Sequence, residues 1–111
     1  MILPFAEYAF IDNRKLIDYC LSENHPIGKH KARVFMSALS FSMADFQELK
    51  DGILNEIIHQ EAILVETNQF GDLYVVDVKI SNTPQQATVR TSWIIRKNED
   101  YPRLTSCYVI S

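Results

Sequence analysis

The sequence predicts an α+β fold in which three N-terminal helices pack on a C-terminal antiparallel sheet of about four strands. Apolar residues recur at helical spacing up to Gln60 and at a spacing of two beyond it. Turn-forming clusters then cut the second half into short runs, as antiparallel strands with tight connections require. With 111 residues, 47% of them hydrophobic, the chain is expected to form a single domain, residues 1–111, around one core.

Taken in order, "FAEYAFI" reads as a short strand or extended arm, and Asp12 after it can cap a helix. In "NRKLIDYCLSEN" the residues Leu16, Ile17, Cys20 and Leu21 share one face and leave Arg14, Lys15 and Asp18 for solvent. Pro26 and Gly28 break that run, so His25–Lys29 is expected as a loop. A second helix from about His30 would bury Ala32, Phe35, Met36 and Leu39, turn His30, Arg33 and Ser37 outward, and end at Ser40 and Phe41. Ser42 opens the third, with Asp45 answering three residues on as in a capping box. Its stripe is Phe46, Leu49, Ile53, Ile57 and Ile58, weakened by Gly52.

Beyond Gln60, "AILVE" and "DLYVVDVKI" flank the hairpin signal "TNQFG", with Val76, Val78 and Ile80 opposite Asp77 and Lys79. "SNTPQQ" is the next connection. "ATVRTSWIIR" then alternates Val89, Thr91, Trp93 and Ile95 with Thr88, Arg90, Ser92 and Arg96. After the turn "KNEDYP" comes the last strand, "RLTSCYVI", whose edge could pair with another chain.

The formal charge of −3 argues against the broad basic field that duplex DNA or an anionic membrane surface would select. No window is long and apolar enough to span a bilayer, no leader is visible, and the two distant cysteines do not make a disulfide framework; a reduced, cytoplasmic setting is expected. The charge is nevertheless segregated. Arg14, Lys15, Lys29, Lys31 and Arg33 outweigh Asp18 and Glu23, whereas the third helix is acidic.

Several residues have the chemistry of a site. A glycine followed by free amides at a helix start can hold an anion, and Lys29 and Lys31 would add charge to it; "PIGKHK" lacks the Lys-Ser/Thr ending of a nucleotide phosphate loop. Cys20, His25 and His30 recur every five residues, but zinc sites use closer pairs, so no metal and no other cofactor is expected. Cys107 lies in an apolar strand that should keep its thiol inert, and His59 suits a helix C-terminus. Metal-independent RNA cleavage needs a base, an acid and cations for the charge growing on phosphorus. His25 and His30 could move protons, Lys29, Lys31, Arg90 and Arg103 could hold phosphate, and Ser92 and Thr105 could orient the strand, if the loop and the last strands meet.

The runs "IDNRKLIDYCLSENHPIGKHKARVFMSAL", "ATVRTSWIIR" and "PRLTSCYVI" closely resemble an uncharacterised bacterial domain family, found alone and at the ends of phage head-morphogenesis and toxin-like proteins. The arrangement is also analogous to the barnase, EndoU, colicin and RelE group of small RNases. That analogy implies an RNA-cleaving or RNA-binding domain of toxin type, with catalytic residues among His25, His30, Lys31, Arg90 and Thr105 and an immunity protein or antitoxin as protein partner. The alternative is a non-catalytic interaction module using the acidic third helix or the basic second one. Ser40 departs from the resemblance, since the family pattern usually has glycine there.

Overall fold

The computed structural model describes residues 1–111 as three helical segments followed by a four-stranded antiparallel sheet. The segments are α1 (Asn13–Lys15), which runs directly into a π-helical turn (Leu16–Cys20), then α2 (Gly28–Leu39) and α3 (Phe46–Ile57). The strands are β1 (Ala62–Asn68), β2 (Gly71–Asn82), β3 (Gln85–Arg96) and β4 (Arg103–Val109), in the sheet order β1-β2-β3-β4. None of the helices is long and apolar enough to cross a membrane.

Burial follows strand alternation. The inner face stacks Tyr74, Val76, Val78 and Ile80 of β2 beside Ala87, Val89, Thr91 and Trp93 of β3, with Leu104 and Cys107 of β4 closing the row. Against them pack Leu16, Cys20 and Leu21, then Phe35 and Leu39 of α2, then Leu49, Ile53 and Ile57 of α3. At the centre, Trp93 Nε1 donates to Thr91 Oγ1, which donates to the Val76 carbonyl, so two buried polar groups are satisfied inside the core.

Several expectations are corrected. "FAEYAFI" is no strand: it holds a 3-10 turn (Ala6–Tyr8), and only Phe10 pairs, in a parallel bridge to Arg103. That bridge and the first helical segment lie along β4, so the freer sheet edge is that of β1. The first helix stops at Cys20, where the Leu21 amide reaches back five residues to the Leu16 carbonyl. α2 starts at Gly28, inside the expected loop, and Met36 is exposed because Phe35 and Leu39 already fill the contact with the sheet. Ile58, just past α3, is exposed as well. "SNTPQQ" shrinks to the two-residue connection Thr83–Pro84 because β2 and β3 are 12 residues each. The capping box of Ser42 and Asp45 is present and leads through a 3-10 turn (Met43–Asp45) into α3.

Candidate functional site

His25 sits where the chain turns into α2, and its Nδ1 accepts hydrogen bonds from the Ile27 and Gly28 amides at 3.0 and 2.9 Å. The ring therefore caps the helix, and the Lys29 amide bonds to the His25 carbonyl. This arrangement leaves the Ile27 and Gly28 amides, which would face an anion at this helix start, already bonded. It also fits His25 poorly to proton transfer: an Nδ1 that accepts two N–H groups leaves Nε2 carrying the ring's proton. His30 is exposed on the first turn of α2 and Lys29 is half-buried there.

Lys31 points the other way, towards the sheet. Its Nζ donates to the Tyr19 hydroxyl at 2.9 Å and lies 5.9 Å from the centre of the Tyr108 ring on β4. The Tyr19 ring in turn meets His25 edge-on at 4.8 Å. Gly28 allows this approach, because a Cβ there would overlap the Tyr19 carbonyl oxygen.

Tyr108 is the cross-strand neighbour of Arg90, which is the neighbour of Asp77. All three lie on the outer face of the sheet, since Thr91, Val76 and Cys107 beside them point inward. Arg90 holds Asp77 through Nε and Nη2 at 2.9 and 3.0 Å, and the Asp77 carboxylate together with the Tyr108 hydroxyl pushes the guanidinium pKa above its ordinary value. A polar ridge thus runs from His25 through Tyr19, Lys31 and Tyr108 to Arg90 and Asp77. The loop and the last strands meet through Lys31.

Thr105 and Arg103 are not on that ridge. They line a cleft of about 270 Å³ at the start of β4, with Arg14 and Lys15 from the first helical segment and Arg96 from the end of β3. Arg103 is held by Glu99 through two bonds of 2.8 and 2.7 Å, and this pairing depresses the Glu99 carboxyl to about 2. Asp12 caps the helix by accepting from the Arg14 amide, and the Arg14 guanidinium bonds it as well; its carboxyl is also held down at about 2.

Beneath the ridge lie the two thiols. Both are fully buried, and the Cys107 thiol, the Ser106 hydroxyl and the nearby Lys31 charge favour the thiolate of Cys20, whose pKa falls to about 7. Cys107 is raised, first by its thiol's donation to Cys20 and then by burial. Cys20 faces its partner in the core while His30 is exposed, and no three His, Cys, Asp or Glu residues gather as a metal site would need. His59 lies exposed beyond α3.

Sequence reasoning missed Tyr19 and Tyr108 because a tyrosine carries no spacing signature. The available signal was weak: Tyr19 lies seven residues before Pro26, and Tyr108 faces Arg90 only in the register the sheet adopts.

Residues 2–111 match the family described as a domain of unknown function (DUF6883), and the chain belongs to it. No curated protein and no solved structure matches the chain.

Proposed function

We propose that this member of the DUF6883 family is a metal-independent RNA-cleaving domain of toxin type, acting through the ridge at Lys31, Tyr108 and Arg90. The observation that carries the reading is Lys31 Nζ, brought by α2 to 5.9 Å from the ring of Tyr108, itself the cross-strand neighbour of Arg90. Cleavage would begin with attack of the ribose 2′-oxygen on the adjacent phosphorus. In this reading the Tyr108 hydroxyl accepts a hydrogen bond from the 2′-hydroxyl and orients it, the 2′-proton passing to solvent water, and Arg90 and Lys31 balance the charge that develops on the phosphoryl oxygens. The Lys31 ammonium, held by its hydrogen bond to the Tyr19 hydroxyl, gives a proton to the departing 5′-oxygen. His25 becomes a positioning residue that starts α2, and Thr105 and Arg103 contact the RNA away from the reacting bond.

The test is incubation of end-labelled single-stranded RNA with the purified protein in excess chelator. Cleavage leaving 2′,3′-cyclic phosphate ends is expected, slowed roughly 100-fold or more by Lys31→Ala and by Tyr108→Phe. RNA that stays intact with the parent protein overturns the reading.

A second reading, a protein-interaction module, is favoured by β1 rather than by the acidic face of α3. Ile63, Leu64 and Val65 are exposed on that edge strand, where an immunity protein or antitoxin could add a strand of its own. Loss of partner binding on Val65→Lys, with RNA cleavage unchanged, would assign that edge.

A further inference from the structure

Two clefts adjoin at the start of β4, and Phe10 and Arg103 line both of them. One, of about 410 Å³, is walled by the rings of Tyr8, Phe10 and Tyr101 with Asp100 and Arg103. The other is the cleft of Arg14, Lys15, Arg96 and Arg103 with the Thr105 hydroxyl. We infer that together they bind one nucleotide of a single-stranded RNA, its base among the three rings and its phosphate on the cations.

Charge decides the second cleft. Around it stand four cations, against the carboxylates of Asp12 and Glu99. Arg14 pairs with Asp12, Arg103 with Glu99, and Arg96 reaches Glu99 only at 3.9 Å, while Lys15 has no carboxylate partner. A net positive cleft survives on a chain of net charge −3, and the Arg14 guanidinium, though paired with Asp12, keeps most of its surface open to solvent, where a phosphate could compete for it.

Ring geometry decides the first. The Arg103 guanidinium lies 5.5 Å from the centre of the Phe10 ring and 5.0 Å from that of Tyr101, and Glu99 fixes its plane. Phe10 is itself anchored by backbone bonds on both sides, its amide to the Pro102 carbonyl and its carbonyl to the Leu104 amide. Tyr8 and Phe10 nevertheless remain exposed, at 68% and 43%. Rigid aromatic faces left open beside cations suit stacking by an unpaired base, and such stacking tolerates any base because each has a π face. Bases stacked within a duplex could not enter.

The inference rests on the ridge reading for the choice of RNA, and it adds a subsite to it. Arg90 and Ile94, whose neighbours across the strand are Tyr108 and Arg103, are four residues apart on β3, roughly 13 Å at the rise of an extended strand. One RNA strand lying along β4 would therefore reach both places.

Fluorescence anisotropy with a labelled single-stranded RNA of about ten nucleotides tests this, using the Lys31→Ala protein so that the probe stays whole. Tyr8→Ala and Phe10→Ala are each expected to weaken binding roughly tenfold. Arg14→Ala with Lys15→Ala should lower the slope of log affinity against log salt by about 1.4, the loss of two phosphate contacts. Affinity unchanged in all three variants, or equal affinity for duplex RNA of the same length, overturns the subsite. Binding that depends on the clefts beside a parent protein that leaves RNA intact would uphold the subsite and remove the cleavage reading. Cleavage by the parent with KM unchanged in the cleft variants would do the reverse.

Discussion

His25 shows how a residue with the chemistry of catalysis can be spent on structure. Its Nδ1 does for α2 what an aspartate or serine usually does, so His25→Ala is expected to destabilise the fold by about 1 kcal/mol in urea denaturation, with His25→Asn retaining most of the stability. Ser40 is the converse case. It occupies the left-handed region at φ 57° after α2, where its amide bonds the Met36 carbonyl and the Phe41 amide bonds the Phe35 carbonyl, closing the helix. A side chain is disfavoured there, and glycine would relieve it. Ser40→Gly should raise stability by about 0.5–1 kcal/mol, less whatever the Ser40–Gln85 hydrogen bond contributes. Glu99 and Asp12 link stability to acid. Their folded pKa values, about 2, lie below the ordinary 4.5 and 3.8, so the stabilisation is complete above those ordinary values and is lost as pH falls towards 2. Both pairs are open to solvent and salt weakens them, so the urea midpoint should drop over that window less steeply in high salt, and less steeply in Glu99→Gln.

The elements differ in how far their residues announce them. α3 was legible because a capping box and the buried stripe Leu49, Ile53 and Ile57 point to the same helix despite Gly52. The strands were legible from alternation, although the registers that set Asp77, Arg90 and Tyr108 in a row depend on strand lengths the turn signals understated. The first helix was misread at its end because a π turn changes the repeat: after Leu16 the bonds skip five residues, and the chain leaves the helix at Cys20 instead of continuing to Asn24. Of the candidate site, the sequence named the cations Lys31, Arg90 and Arg103 but not their distribution, Lys31 and Arg90 along the ridge and Arg103 in the cleft, because pairing across the sheet and packing of α2 on β4 are long-range facts. The close contact of α2 with the preceding segment gives a sharp test. Gly28→Ala must push Tyr19 away, so it should lower thermal stability and, in the ridge reading, slow RNA cleavage, whereas Gly52→Ala on α3 meets only the end of the Ile80 side chain and should be mild in both assays.

At the scale of the molecule, one inner face of the sheet receives every helix and the outer face stays open, with the Trp93–Thr91–Val76 hydrogen bonds at the middle of the packed layer. Thr91→Val strands the Trp93 indole N–H in that layer and should cost about 1–3 kcal/mol, read from tryptophan fluorescence during urea unfolding. Each strand pairs with the next in the chain, so the sheet can grow hairpin by hairpin from local contacts. Its outer row cannot form so early. Tyr19 and Lys31 emerge first during synthesis, Arg90 much later and Tyr108 later still, while the Phe10–Arg103 bridge must close across all the helices and the first three strands. A nascent chain that has not yet released β4 therefore carries the cations of the ridge without the tyrosine set between them. Under the reading proposed, a ribosome making this protein is not exposed to its activity until the final strand has docked.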